Sequence, residues 1–163
     1  MATTLLGETT VHTVGDLPDV GSQAPDFTLT GSDFADVKKT SGKRTILDIF
    51  PSIGTGVCQS GVRRFNELAS GLDNTEIIGV SQDLPFAVTS FCAAEGLEGV
   101  IVGSAFRSGF GTDFGITMAD GKWRGLLARS VVVIDTDGTV LHTEITSAIS
   151  VEPDYEAAVK ALG

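Results

Sequence analysis

The chain has 163 residues, 42% of them hydrophobic and 20% charged, and a formal net charge of -10. That length suits one domain with a buried core, so residues 1–163 read as a single domain, with about 1–15 as an N-terminal extension. The acidic balance argues against nucleic acid, which needs concentrated Lys and Arg, and against an anionic membrane surface.

The N-terminal segment, Met1 to Glu8, has neither a basic n-region nor a long apolar h-region, and no later stretch is long enough to span a bilayer. A cytoplasmic, unprocessed product is therefore expected. Thr3 to Thr13 alternates around Gly7-Glu8 and predicts a β-hairpin. Gly21 to Pro25 reads as a loop and Phe27 to Thr30 as a short strand. Thr45 to Phe50 is an apolar, β-branched run and predicts a buried strand. Val57 to Leu72 has helical spacing, with Val62, Phe65 and Ala69 on the face of Cys58. Glu76 to Ser81 is a second buried strand. Pro85 opens a helix in which Leu84, Val88, Phe91 and Cys92 share a face.

Val100 to Val102 is a short strand, and the glycine-bearing run Phe106 to Ile116 reads as loop with a brief helix. Ser130 to Asp135 is a strand, Asp137-Gly138 a hairpin turn and Thr139 to Ile145 the return strand. Pro153 starts a last helix with Tyr155, Ala158, Val159 and Leu162 on its apolar face. The order predicts an α/β layer fold with a mixed central sheet flanked by helices.

Cys58 stands where the buried strand and its loop feed the first turn of a helix. Free backbone N–H groups and the positive end of the helix dipole favour negative charge there, and the thiolate is the reactive form of cysteine. A structural reading is available for each residue around it. Cys58 and Cys92 each suit a small buried core position. Thr55, three residues before Cys58, suits a helix N-cap. Pro51 suits the end of a strand. Arg129 precedes a buried strand, where an unpaired charge is costly, so a salt bridge to a carboxylate would account for it. Arg63, Arg64, Lys122 and Arg124 read as surface charges, with Arg64 also placed to brace the cysteine from its helix.

Other chemistries find little support. His12 and His142 lie in strand-like contexts far from any C-x-x-C spacing, which disfavours zinc. Cys58 is followed by Gln59-Ser60-Gly61 rather than a second cysteine, unlike a C-x-x-C oxidoreductase. No phosphate loop or dinucleotide fingerprint occurs. A cysteine hydrolase would need a histidine beside Cys58, and no signature supports one.

The spacing Pro51-x-x-x-Thr55-x-x-Cys58 resembles the active-site signature of the peroxiredoxins. A longer match resembles one subfamily, the thiol peroxidases or atypical two-cysteine peroxiredoxins. It runs through Gly15-Asp16-Leu17-Pro18, Val20 to Leu29, Pro51-Ser52-Ile53, Val57-Cys58, Val62 to Asn66, Ser81 to Ala87, Phe91-Cys92, Glu95-Gly96, Gly125 to Ser130 and Val133-Ile134-Asp135.

The resemblance implies a thioredoxin-like fold with an N-terminal hairpin. It implies a peroxidase that reduces hydrogen peroxide and organic hydroperoxides, with Cys58 as peroxidatic nucleophile, Cys92 as resolving cysteine in an intrachain disulfide, and Thr55, Arg129 and Pro51 completing the site. It further implies thioredoxin as reductant, a homodimer, and no metal, haem, flavin or nicotinamide. Two cysteines on the buried faces of separate helices are expected to need partial unwinding of both before they can join. Where the family commonly has Asp and Pro on either side of the motif Thr, this chain has Gly54 and Gly56, so a more mobile loop is expected. The competing reading is a non-enzymatic peroxide sensor that passes oxidation to a partner protein.

Overall fold

The computed structural model describes every residue from Met1 to Gly163. β1 (Thr3–Leu6) and β2 (Thr9–His12) form a separate two-stranded hairpin, with Gly7 at φ +63 in its turn. A residue with no Cβ occupies that left-handed backbone region without strain. Seven further strands form one sheet in the order β4-β3-β7-β6-β5-β8-β9. They are β3 (Leu29–Thr30), β4 (Asp36–Val37), β5 (Arg44–Ile49), β6 (Thr75–Ser81), β7 (Ile101–Ser104), β8 (Ser130–Ile134) and β9 (Val140–Ile145). β5, β6 and β7 run parallel, whereas β3 joins β7 and β8 joins β5 antiparallel. The sheet is therefore mixed, as its sequence order predicts.

The helices are α1 (Gly56–Ala69), α2 (Pro85–Glu95), the short α3 (Phe110–Asp113) and α4 (Tyr155–Lys160). The central strands are apolar on both faces because both are covered. Ile46, Phe50, Ile77, Val131 and Val133 face the cluster that includes Val62 and Phe65 of α1, Val88 of α2 and Ala158 of α4. Leu47, Ile49, Ile78, Val80 and Val132 face the opposite cluster, which holds the Phe27, Phe110 and Phe114 rings. Strand alternation sorts the two sets. Asp48 falls between Leu47 and Ile49 and therefore points to the α1 side.

Several expectations need correction. The Cys58 helix ends at Ala69 rather than Leu72. β4 is a two-residue strand whose shortness left no periodic signal. Leu84 does not share the buried face of α2: it is the N-cap residue and is exposed, while Val88 and Cys92 are buried. Pro153 does not start α4; Asp154 is its N-cap and accepts a hydrogen bond from Ala157 N.

The hairpin packs over a third, smaller cluster of Val11, Met118, Ala128 and Ile149. It also ties down the segment after β9. Leu5 N donates to Ser147 O, Ile149 N to Leu5 O, and Thr4 Oγ1 to Thr146 O. That segment has a partner in the site.

Candidate active site

β5 ends at Ile49, and the buried Pro51 turns the chain into the loop that leads to α1. Thr55 caps the helix with extended backbone (φ -102, ψ 146), and its Oγ1 accepts from Cys58 N at 3.4 Å. The same hydroxyl lies 2.7 Å from Cys58 Sγ as a donor. The capping and sulfur-contacting readings of Thr55 hold together, since one oxygen accepts along one direction and donates along another. Cys58 lies in the first turn, whose N–H groups have no carbonyl four residues back, and it has no exposed surface.

The second donor to the sulfur comes from across the sheet. Arg129, 2% exposed, precedes β8 and places Nη2 3.2 Å from Cys58 Sγ. Its Nε donates to Ile149 O at 2.9 Å. The guanidinium makes no salt bridge with a carboxylate, so the salt-bridge account of this arginine is wrong; its hydrogen-bond partners are a thiol sulfur and a carbonyl. Ile149 belongs to the segment held by the N-terminal hairpin, so the hairpin helps set the position of Arg129. Two donors on one sulfur, one of them cationic, suit a negatively charged sulfur.

Asp83, between β6 and α2, grips the loop before Thr55. Its carboxylate accepts from Ser52 Oγ at 2.8 Å, from Ile53 N at 2.7 Å and from Ser81 Oγ at 2.8 Å. Gln59 Nε2 donates to Ile53 O at 3.0 Å. The loop is therefore held from outside itself, despite Gly54 and Gly56. Neither glycine has positive φ, and a Cβ at Gly56 would meet nothing within 4 Å. Asp83 lies inside the quoted Ser81 to Ala87 run, but a contact across the sheet leaves no spacing signal that would single it out.

Asp48 is the other residue missed by the sequence reading. It is 2% exposed, and its Oδ2 has no hydrogen-bond partner. Gly61 of α1 lies over it: a Cβ there would stand 3.8 Å from Asp48 Oδ2 and 3.6 Å from Tyr155 Oη. Burial pushes the Asp48 carboxyl up to about 7, and the Arg129 guanidinium offsets only part of that rise. In the unfolded chain the group titrates near 3.8. The folded protein thus binds the proton more tightly, and stability falls as pH rises from about 4 to about 7. Asp48→Asn is expected to be more stable than wild type by a margin that grows across that window, to roughly 4 kcal/mol at most. Urea midpoints measured at several pH values check this, and a margin independent of pH would contradict it.

Cys92 is buried on α2, unpaired, and in the same apolar cluster as Cys58. Burial pushes its thiol up, and the nearby Glu95 carboxylate adds to the rise. It lines a largely apolar groove of about 460 Å³ with Val37, Leu97 and Val102. Arg63 ties α1 to this helix: it pairs with Glu95 through two hydrogen bonds of 2.7 and 2.8 Å and lies over the Phe91 ring. Arg63 is therefore a brace between helices, whereas Arg64 pairs with Glu67 on its own helix and does not reach the cysteine. Of the sequence-predicted residues, Cys58, Thr55 and Arg129 meet at one sulfur, Pro51 begins their loop, and Cys92 stands apart on α2.

The Redoxin family model matches residues 19–159. The chain is 51% identical over 165 aligned residues to the thiol peroxidase of Mycobacterium tuberculosis, covering 100% of this chain and 99% of that one. It is 49% identical over 152 residues to the thiol peroxidase of Corynebacterium glutamicum, covering 92% of each. A peroxiredoxin-like protein from Aquifex aeolicus superposes with a TM-score of 0.92 at 31% identity, covering 97% of this chain and 94% of that one. The thioredoxin-like fold, the presence of two cysteines, Cys58 and Cys92, and full-length similarity to thiol peroxidases agree, and the chain belongs to the Redoxin family as a thiol peroxidase, a peroxiredoxin enzyme.

Proposed function

We propose that Cys58 is the peroxidatic nucleophile of a hydroperoxide reductase acting on hydrogen peroxide and organic hydroperoxides, and that Cys92 resolves it. The observation that carries this reading is the Arg129 Nη2 contact with Cys58 Sγ, joined by Thr55 Oγ1. The thiolate attacks the nearer peroxide oxygen. The O–O bond breaks, the sulfur becomes a sulfenic acid, and the leaving oxygen takes a proton to become water or alcohol. Arg129 and Thr55 hold charge as it moves from sulfur to the leaving oxygen. Pro51 has no N–H and shields the sulfur from water. Cys58 has no exposed surface, so substrate enters as the Pro51 to Gly56 loop shifts.

Cys92 then attacks the sulfenic sulfur, releasing water and forming an intrachain disulfide. Its buried thiol resists ionising in place, so resolution follows local unwinding of α2 and of the start of α1. Thioredoxin is the proposed reductant of the disulfide. The whole chain acts as one domain, in a homodimer, in the cytoplasm.

Peroxide consumption with thioredoxin, thioredoxin reductase and NADPH tests the reading. Many turnovers per protein are expected, and amide exchange should rise around Cys58 and Cys92 on oxidation. Stoichiometric oxidation without turnover would favour the peroxide sensor, and unchanged exchange would remove the unwinding step.

A further inference from the structure

Arg129 is the fixed cation of a buried region that holds two groups able to carry negative charge. Cys58 contacts the guanidinium directly. Asp48 lies on the same face of the neighbouring strand: it pairs with Val131 of β8, two residues from Arg129, and Arg129 is the charge whose field reaches it. A long side chain spans such a diagonal. One buried cation offsets one buried anion, and a second anion in the same place is costly.

We propose that Asp48 is a charge-compensating residue of the peroxidase reaction, protonated while Cys58 is a thiolate and ionised once the sulfur has become neutral. The inference rests on the assignment of Cys58 as nucleophile. The thiolate and peroxide give a sulfenic acid and a leaving oxygen that needs one proton. Asp48 gives up one proton as Arg129 is freed to face it, and that proton balances the one the leaving oxygen takes to become water. The later disulfide step releases water and leaves this balance unchanged. Reduced site and oxidised site therefore carry the same charge, and the protein draws little or no proton from solvent on oxidation.

The surroundings support this exchange. Asp48 Oδ2 has no hydrogen-bond partner in the reduced state, which would be a heavy penalty for a carboxylate and a lighter one for a neutral acid. Burial holds its carboxyl near neutrality, within reach of a change in one neighbouring charge. From α4, the Tyr155 hydroxyl shares the space beneath Gly61, but its hydrogen bond runs to Glu152 at the surface (2.8 Å) and not to Asp48. Burial and that hydrogen bond push the Tyr155 phenol up, so it stays neutral. From β9, Glu144 stands opposite Val131 but accepts from Asp154 N, and His142 stands opposite Val133 with its Nε2 buried and unpartnered. From α1, Gly61 lies over Asp48, and Cys58, the titratable group of that helix's buried face, meets it through their shared neighbour Arg129.

The test is proton uptake during a single oxidation of reduced protein by hydrogen peroxide, just below neutral pH in weak buffer with an indicator dye. Mass spectrometry confirms in parallel that Cys58 is oxidised. Wild type should take up well under one proton per peroxide, and Asp48→Asn about one. A full proton in wild type, or no uptake in either protein, overturns the proposal. An unreacted Cys58 in wild type would instead overturn the assignment of the nucleophile. An infrared difference spectrum of wild type needs no variant. The C=O stretch of a protonated carboxyl should disappear on oxidation, and its persistence overturns the proposal.

Discussion

Cys58→Ser is expected to reduce peroxide consumption to the uncatalysed background, whereas Cys92→Ser should complete one turnover and stop. The serine hydroxyl is scarcely ionised at neutral pH and is a poor nucleophile toward O–O bonds, so the Thr55 and Arg129 donors would have no reactive anion to serve. Cys92 takes no part in the first step on this reading. Its loss should leave the rate of Cys58 oxidation within a few-fold and strand the sulfur as sulfenic acid, open to further oxidation by excess peroxide. Stopped-flow oxidation with trapping of the sulfenic acid separates the two steps. Multiple turnovers in Cys92→Ser with the thioredoxin system would remove Cys92 as the required resolver.

Arg129→Met is expected to lower the second-order rate of Cys58 oxidation by roughly 10²–10³, the usual cost of removing one preorganised donor from developing charge. Methionine keeps much of the side-chain volume, so the loss reads the guanidinium rather than a cavity. The variant also leaves Ile149 O without its donor, at a stability cost of about 1–3 kcal/mol. Arg129→Lys should recover little, because a single ammonium cannot serve the Ile149 carbonyl and the sulfur with the spread of a guanidinium. A loss of less than about 5-fold in Arg129→Met, well short of that donor cost, would make Arg129 a structural residue that holds the segment after β9.

The brace from Arg63 to Glu95 and Phe91 bears on the resolving step. It fastens α1 to α2 one turn from Cys92, so any unwinding that joins the cysteines must release it or pivot about it. The pair is partly exposed, and exposed pairs contribute modestly, so it steadies the reduced arrangement without locking it.

Local patterns in the chain were enough to determine most elements. The alternation around Gly7-Glu8, the apolar run into Pro51 and the Asp137-Gly138 turn each specify an element through neighbours in sequence. The Pro51, Thr55 and Cys58 spacing is equally local, because a cap and the sulfur three residues on are built by one helical turn. Arg129 became legible only through resemblance, since nothing near it in sequence points to Cys58. The tertiary structure decided the rest. Antiparallel pairing of β5 with β8 brings Arg129 to the sulfur and sets Asp48 diagonally across from Arg129, beneath Gly61, and the hairpin sets the Ile149 carbonyl that orients the guanidinium. Asp83 reaches the Ser52 and Ile53 loop only because β6 lies beside β5. Asp48 passed for one polar residue in a buried strand, because burial and the charge of a neighbour are properties of the assembled sheet. Those quantities govern a carboxyl's proton, and no spacing in one chain encodes them.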